Sequence, residues 1–439
     1  MSIIETIKSN KKILFYIFIA ALSVRAIYLI SVNIMIDKHI LNEDYEYGVI
    51  ANSLIAGKGY SVPLTEQSDD GHIKVLNIYR PTTYHLPFYP IMLATVYSLI
   101  KSPLSMFIVM CIQSVISSTT CIIIYLFVIK LFANQRTAVI AGCAMILYPT
   151  FIIYASRLVP ETMLIFWLST ALLSLLVLRD NPTYTNSLIT GILLGVTLLT
   201  SNVIVPLLPI IVIWLLISLN IAIERRYKYV FSVLSAILLV VSPLLIRNYI
   251  VFREFPLMKS TTGTNLWLGN NPQASGTFYL HSGKLVSTIF PKAFTEGQIL
   301  SEIEQDKILY DDAMSYIKTN PMHFIKLFLI KLYYFTWFSS DNLLSKEARL
   351  HKKIVIIPYG IMIVSFFIGI YLSLSKYPKD VFLLCSIIFS VALLYSIFIV
   401  GHPRYRMTVE PYMIVFSSYA VNYLLDRYIL RKRNGIKSG

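Results

Sequence analysis

Three carboxylates, Glu43, Asp44 and Glu46, follow the first long apolar segment of the chain. Acidic residues are scarce, with 23 among 439 residues, so a cluster beside a membrane-length apolar run is unexpected. On a helix beginning near Asn42, Glu43, Glu46 and Tyr47 share a face at i, i+3 and i+4, whereas Asp44 points elsewhere. Such acids take a proton from a hydroxyl, hold a metal ion or bind a cation. The alternative is that they stabilise the first turn of a helix through its dipole.

Two further motifs place polar side chains between apolar segments. His85 precedes the stretch Pro87 to Pro90, and it is either a hydrogen-bond donor or ligand near the carboxylates or part of a proline-defined helix start. Arg157 and Glu161 stand between two apolar segments. They form an interfacial ion pair, or Glu161 supplies a second carboxylate to the same cavity.

Several arginines could bind an anion at a membrane surface. Arg25 lies inside the first apolar segment, where a charge is costly unless it snorkels or faces a polar cavity. Arg247, Arg404 and Arg406 lie at the ends of later apolar segments, with Tyr405 between the last two. Guanidinium groups bind phosphate through paired hydrogen bonds, so these residues are candidates for a lipid phosphate; a structural role is the alternative for each.

Composition indicates that membrane helices must position these groups. Hydrophobic residues make up 56% of the chain, charged residues 14%, and the mean hydropathy is +0.67. A soluble protein carries nearly twice this charged fraction. Apolar runs of about 20 residues predict an all-α polytopic membrane protein. The net charge of +15 arises from basic clusters that flank these runs, so nucleic acid is not a predicted partner. The four cysteines lie in apolar runs, without disulfide or zinc spacing.

About ten apolar segments are predicted to cross the membrane, with a break at Thr200–Asn202. They are Ile13–Ile34, Met106–Phe132, Thr137–Tyr154, Met163–Leu178, Leu188–Leu199, Val203–Leu219, Tyr229–Ile246, Ile354–Leu374, Val381–Val400 and Val409–Leu425.

Basic residues orient these segments. Lys8, Lys11 and Lys12 place the N-terminus in the cytoplasm, and the same rule applied along the chain keeps both termini there. Residues 37–105 become a long outer loop with surface helices over Glu43–Ala56 and Leu86–Ile100. Residues 250–321 form a small outer domain with a helix near Glu296–Thr319. Phe324–Phe338, interrupted by two lysines, is predicted to be interfacial.

Five short motifs, in this order and on this side, resemble those of the GT-C glycosyltransferases, in the protein O-mannosyltransferase and aminoarabinose-transferase branch (glycosyltransferase family 39-like). They are the acidic pair followed by Tyr47 and Ile50–Tyr60, Thr82–Pro90, Tyr148–Glu161, Arg247–Tyr249 with Asn265–Pro272, and Arg404–Arg406. The resemblance implies a GT-C bundle of about 10–12 transmembrane helices, with juxtamembrane helices in the first outer loop and a small outer domain. Residues 1–249 would form the N-terminal module, 250–321 the loop domain and 322–439 the C-terminal transmembrane region.

The resemblance also implies roles for the candidate residues. A first-loop carboxylate, Glu43 or Asp44, is the catalytic base, and Glu161 supports it. The phosphate of a polyprenyl-phosphate sugar is held by basic and tyrosine side chains, and the remaining polar residues contact substrate. The phosphate set is Arg247, Arg404, Tyr405, His85 and Arg25, and the substrate set is Tyr47, Tyr89, Arg157 and Asn270. Family members have Asp before Glu; here Glu43 has the family's spacing to Tyr47, so the base is one of the two.

The predicted function is transfer of the sugar, with inversion, to a hydroxyl of a glycan, lipid or protein at the outer face of the cytoplasmic membrane. No cofactor is required, although Glu43, Asp44 and His85 have the side-chain chemistry to bind a divalent metal. A flippase or transporter of lipid-linked sugars predicts charges deep in several segments and internal symmetry, which the sequence lacks apart from Arg25. A polymerase of surface polysaccharide shares the donor class and location.

Overall fold

The computed structural model describes residues 3–35, 47–67, 73–254, 258–289, 300–398 and 404–436. Eleven helices precede residue 254 in these ranges: α1 Ile3–Ser9, α2 Lys11–Met35, α3 Tyr47–Ile55, α4 Phe88–Leu99, α5 Leu104–Phe132, α6 Gln135–Leu147, α7 Pro149–Ala155, α8 Glu161–Asp180, α9 Tyr184–Thr200, α10 Leu207–Ser218 and α11 Ile223–Phe252. Seven follow: α12 Thr262–Gly269, α13 Glu302–Thr319, α14 Pro321–Thr336, α15 Lys346–Leu374, α16 Pro378–Ile397, α17 Arg404–Met407 and α18 Glu410–Ile436. The predicted helical, multi-pass architecture is confirmed.

Six described helices are long and apolar enough to cross a membrane, namely those within α2, α5, α8, α11, α15 and α16. A seventh crossing is formed if α6 and α7, which meet at 52°, act as one broken span. The ten predicted segments exceed this number because α9 and α10 are short and α18 begins with a buried, partly polar turn. The predicted break after Thr200 is present, since α9 ends there and α10 starts at Leu207.

The bundle is built around α5 and α8. Helix α5 packs against α2, α6 and α8, while α9 packs on α8 and α11, and α15 packs on α18. Gly191 allows α9 to approach α11 closely, because a Cβ at this position would collide with the Val233 carbonyl oxygen. One continuous apolar core runs through these helices, and Trp214, Tyr125 and Phe416 are among its fully buried side chains.

The first loop contains a β-hairpin that the sequence interpretation missed. Strand β1 Ser61–Gln67 pairs antiparallel with β2 Ile73–Pro81, and Ser61 lies opposite Pro81. The sequence interpretation assigned no element to this segment, where β-branched residues such as Ile73, Val75 and Ile78 favour a strand. Gly57 and Gly59, both with φ of +69°, lead from α3 into β1, as the predicted helix end at Gly57 requires.

Residues between α11 and α14 form a small packed unit. Helices α12 and α13 pack together around their own core, which includes Trp267, Val286 and Leu309. Helix α13 begins with a capping box in which Ser301 and Glu304 bond reciprocally. Helix α14 follows directly, packs on α16 and is not one of the candidate spans. This unit lies against the first loop, where it contributes to the candidate site.

Candidate active site

Three aromatic side chains from the first loop line one side of the candidate site. His85 lies against the Tyr47 ring at 4.1 Å between centroids, and Tyr89 meets Tyr47 edge-on at 5.3 Å. Tyr47 starts α3, and Tyr89 lies in the first turn of α4, after the proline-rich turn that follows His85. The prolines therefore end the hairpin and start α4 so that all three rings are in contact. Tyr47 and Tyr89, predicted to contact substrate, are thus neighbours of His85.

Gln113 connects these rings to the loop between α7 and α8. The Tyr89 hydroxyl donates to Gln113 Oε1 at 2.7 Å, and Gln113 Nε2 donates to the backbone oxygens of Arg157 at 2.6 Å and Ala155 at 3.2 Å. The glutamine is fully buried within the span α5. A buried amide with both its functions bonded fixes the loop that carries Arg157 relative to the first loop. An amide inside an apolar run was the sequence signal for this residue.

Glu161 and Arg404 meet at the opposite side of the site. Glu161 is the first residue of α8, and its Oε1 lies 3.6 Å from Arg404 Nε on α17. The helix dipole at this N-terminus favours the charged carboxylate. The Arg404 guanidinium lies 5.3 Å from the Tyr405 ring, and that ring stacks on Tyr395 of α16 at 4.4 Å. The structure thus brings three predicted site residues together from chain segments more than 200 positions apart.

His85 is close to positive charge. Burial, together with the charges of Lys259 and Arg404, lowers the pKa of His85 to about 3. The charge of Arg404 acts on His85 and also on Glu161, so the three aromatic side chains lie near the Glu161–Arg404 pair. His85 is therefore a neutral imidazole at physiological pH, able to donate one hydrogen bond and accept another. Lys259, which follows α11, was not singled out in the sequence.

Arg247 and Glu302 hold the segment that leads to His85. Arg247 Nη1 donates to the Thr82 oxygen at 2.8 Å, and Nη2 donates to the Tyr60 oxygen at 2.8 Å. Glu302, at the start of α13, accepts from Thr82 Oγ1 at 2.7 Å and from the backbone N–H of Thr83 at 3.0 Å. Together these contacts hold Tyr60, Thr82 and Thr83 of the first loop in place. The sequence gave no indication of a role for Glu302.

Comparisons with known proteins bear on the class of this site. Residues 82–246 match the family model described as dolichyl-phosphate-mannose-protein mannosyltransferase, a range that contains His85, Tyr89, Arg157 and Glu161. The oligosaccharyltransferase of Archaeoglobus fulgidus, solved in complex with Zn and sulfate, has a similar fold: the TM-score is 0.52 at 13% identity. The chain has the fold of that protein. The predicted resemblance is therefore confirmed.

The match to the oligosaccharyltransferase covers 95% of this chain but 50% of that protein, so this chain spans about half the length of its relative. ArnT of Cupriavidus metallidurans is also similar at 13% identity. The apo form gives a TM-score of 0.49 over 89% of this chain and 56% of that one. The form bound to undecaprenyl phosphate gives 0.44 over 94% and 78%. A search of curated proteins gave no match.

Arg25, predicted to bind phosphate, and Asn270, predicted to bind substrate, are both buried among structural partners. Arg25 is fully buried and donates to Ser117 Oγ at 2.7 Å and to the oxygens of Ala21 and Met145. Its contacts join α2, α5 and α6. Asn270 is also fully buried, and its amide donates to the Leu266 and Ile397 oxygens. Both side chains have the surroundings of core residues.

Lys331 donates a hydrogen bond to the side-chain oxygen of Asn270. Its fully buried ammonium lies 3.0 Å from Asn270 Oδ1 and within 3.3 Å of the backbone oxygens of Gly269, Ile397 and Phe398. Burial lowers the pKa of Lys331 to about 7. The lysine thereby satisfies carbonyl groups at the end of α16, just before the chain reaches α17 and Arg404.

Glu43 and Asp44, the predicted base and metal residues, lie outside the described residues. Within the described ranges, no group of three or more His, Cys, Asp or Glu side chains converges to hold a metal ion. The remaining member of the predicted metal set, His85, faces Lys259 and Arg404, whose charges oppose a divalent cation there.

Proposed function

We propose that this protein is a membrane glycosyltransferase that transfers a sugar from a polyprenyl-phosphate donor to an acceptor hydroxyl. The observation that carries the proposal is the Glu161–Arg404 pair beside the His85 segment. The matched family range contains Glu161 and His85, and the family acts with dolichyl-phosphate-mannose as its description states. Acceptor candidates are a glycan, a lipid or a protein, and the sugar itself is left open.

Arg404 and Tyr405 serve the leaving phosphate in this proposal. A guanidinium carries five N–H donors, so pairing with one carboxylate is compatible with binding phosphate oxygens. Negative charge develops on the phosphate as the bond to the sugar breaks, and donors already fixed in place stabilise that charge without reorganisation. The stacking of Tyr405 on Tyr395 fixes the aromatic side chain that lies under the Arg404 guanidinium.

Glu43 or Asp44 acts as the general base. Asp44 precedes Tyr47 by three residues, so their Cα atoms are at most about 11 Å apart. Tyr47 itself lies against His85, and the proposal brings one of the preceding carboxylates to the acceptor hydroxyl. The base takes the hydroxyl proton while the acceptor oxygen bonds to the anomeric carbon. The bond from that carbon to the phosphate oxygen breaks, its electron pair leaves with the phosphate, and the configuration inverts.

The other predicted residues position these groups. His85 contributes a hydrogen bond from a neutral ring and carries no charge to the phosphate. Glu161 orients Arg404 and supports the acceptor side of the site. Arg247 acts through Thr82 as a positioning residue, while Arg25 and Asn270 stabilise the bundle; we therefore assign none of these three to the phosphate.

We place the site at the outer face of the cytoplasmic membrane, with both termini inside. The opposite ends of α5 and α8 carry Lys130 and Arg179, paired with Asp180 and Asp380. Together with the lysines near the N-terminus, these cations favour a cytoplasmic position for that end. Residues 1–249, 250–321 and 322–439 then act as the catalytic module, the outer unit and the C-terminal spans.

Product analysis tests the proposal directly. The purified chain in lipid nanodiscs is incubated with a panel of polyprenyl-phosphate sugars. In a second experiment, the lipid-linked sugars and cell-surface glycans of cells with and without the protein are compared by mass spectrometry. We expect release of polyprenyl phosphate with one sugar added per acceptor. Repeating additions would identify a polymerase, and movement of intact donor between leaflets without hydrolysis or transfer would identify a flippase. Either result would overturn the proposal.

A further inference from the structure

A groove between α14 and the start of α15 is separate from the residues assigned to sugar transfer. It encloses about 580 Å³ and opens to the protein surface. Its walls are mostly aromatic and aliphatic, with a polar end, and its lining residues are Leu329, Ile330, Tyr333, Tyr334, Trp337, Phe338, Ser339, Ser340 and Lys352. A groove whose apolar residues lie along α14 and whose polar residues follow the end of that helix suits an amphipathic ligand.

The apolar end of the groove continues onto the membrane-facing surface. Leu329 and Tyr333 of α14 are 57% and 56% exposed, and Ile325 extends the same helical face at i, i+4 and i+8. On the adjoining span α15, Ile354 and Ile357 are 47% and 71% exposed. These exposed side chains belong to a multi-pass membrane protein, so hydrocarbon chains of the bilayer have direct access to the groove.

The polar end of the groove carries an excess of positive charge among the described side chains. Lys352 Nζ donates to the Ser339 oxygen at 2.9 Å and to Asp341 Oδ1 at 2.8 Å. The hydrogen bond and charge of Lys352, with the charges of Arg349 and Lys353, hold the pKa of the Asp341 carboxyl below its usual value, and all three cations lie in the first turns of α15. This charge favours an anionic head group at the end of the apolar groove.

The wall of the groove also contacts the segment that carries Arg404. Arg406 Nη1 donates to the oxygens of Phe335 and Trp337, and its guanidinium lies 4.8 Å from the Phe338 ring. A ligand against Trp337 and Phe338 therefore packs on the residues that hold α17. Through these hydrogen bonds, the backbone at the end of α14 connects the groove to α17, which carries Arg404.

We propose that the groove between α14 and α15 binds an anionic phospholipid of the membrane, with its acyl chain along Leu329 and Trp337 and its phosphate near Lys352 and Arg349. The lipid is distinct from the sugar donor and acts as a structural ligand. The proposal goes beyond the proposed transfer reaction and does not depend on it, because lipid binding is measured without donor or acceptor.

Tryptophan quenching tests this site on the full chain. The chain has four tryptophans, and the signal of Trp337 is the difference between wild type and Trp337→Phe. We expect brominated phosphatidylglycerol to quench this signal at a mole fraction at least about threefold lower than brominated phosphatidylcholine, because the head-group charge is attracted to the basic end. The preference should weaken at high salt.

Two charge variants separate a site from general lipid contact. Arg349→Gln with Lys353→Gln should abolish the preference while leaving the Lys352 hydrogen bonds intact. Lys307→Gln with Lys318→Gln removes the same charge from exposed positions of α13 and should leave the preference unchanged. Equal quenching by both lipids in the wild type would overturn the proposal. Displacement of phosphatidylglycerol by polyprenyl phosphate at equal or lower concentration would also overturn it and assign the groove to the donor.

Discussion

Arg247 and Glu302 hold the same residue from two parts of the chain. The Arg247 guanidinium donates to the Thr82 carbonyl oxygen at 2.8 Å, and the Thr82 hydroxyl donates to the Glu302 carboxylate at 2.7 Å. One residue belongs to the span α11 and the other to the small unit that follows it. Thr82 lies three positions before His85, so the two contacts fix where the first loop enters the site.

Replacing Glu302 should impair activity through position. Glu302→Ala leaves the Thr82 hydroxyl and the Thr83 N–H without their acceptor, at a cost of about 1 to 3 kcal/mol in the local structure. We expect kcat/KM to fall about tenfold, with faster hydrogen exchange over residues 82–86. Glu304→Gln retains the capping box of α13 and is the matched control. Unchanged exchange in Glu302→Ala would contradict this role of Glu302 in holding the first loop.

The Glu161–Arg404 pair should behave as a coupled unit. Glu161→Gln and Arg404→Gln should each lower kcat/KM by about tenfold or more, and the double variant should lose less than the product of the two effects. The exposed pair Arg136–Asp426 provides the control, since neutralising it should change activity little. Independent, multiplicative losses at Glu161 and Arg404 would show that the pair does not act together.

The first-loop carboxylates should account for base catalysis. Glu43→Gln and Asp44→Asn, made singly, identify which residue takes the proton, since loss of a general base lowers kcat by about 10² to 10⁴. The control is Asp311→Asn, an exposed acid on α13. Transfer activity that survives in the Glu43→Gln/Asp44→Asn double variant would rule out the proposed mechanism.

His85 should make the folded protein sensitive to acid. Its pKa is about 3 in the folded chain against 6.5 for the free side chain, so the unfolded chain binds more protons between these values. Stability is therefore lost as the pH falls from about 6.5 toward 3. We expect His85→Asn to flatten the dependence of the melting temperature on pH in this range. An activity limb between about pH 6 and 7 that disappears in His85→Asn would show that the ring titrates normally.

Lys331 should give a pH dependence of the same sign as His85, but at higher pH. Its pKa is lowered to about 7 from 10.5, so the unfolded chain binds more protons between these values and stability should rise with pH from about 7 to 10.5. Lys331→Met should remove this slope and lower the melting temperature, because the carbonyl groups at the end of α16 lose their donor. Lys326→Met, on the same helix and more exposed, should do neither.

Much of the architecture follows from the sequence alone. Long apolar runs predict the spans, because backbone groups in hydrocarbon must bond within a helix. Pro87 and Gly57 predict where α4 begins and where α3 ends. The hairpin of the first loop was missed although its strands are neighbours along the chain, because their apolar residues do not alternate strictly and the pairing has an irregularity between Pro63 and Thr65.

The sequence by itself determined the class of the protein, the GT-C resemblance and most members of the site, since residue type and order relative to apolar segments suffice for these. Only the tertiary structure decided which arginines meet an acid: Arg404 lies beside Glu161, whereas Arg25 and Arg247 bind backbone oxygens. A guanidinium has the same chemistry in every motif. Its role depends on the burial and hydrogen-bond partners that packing of distant helices supplies.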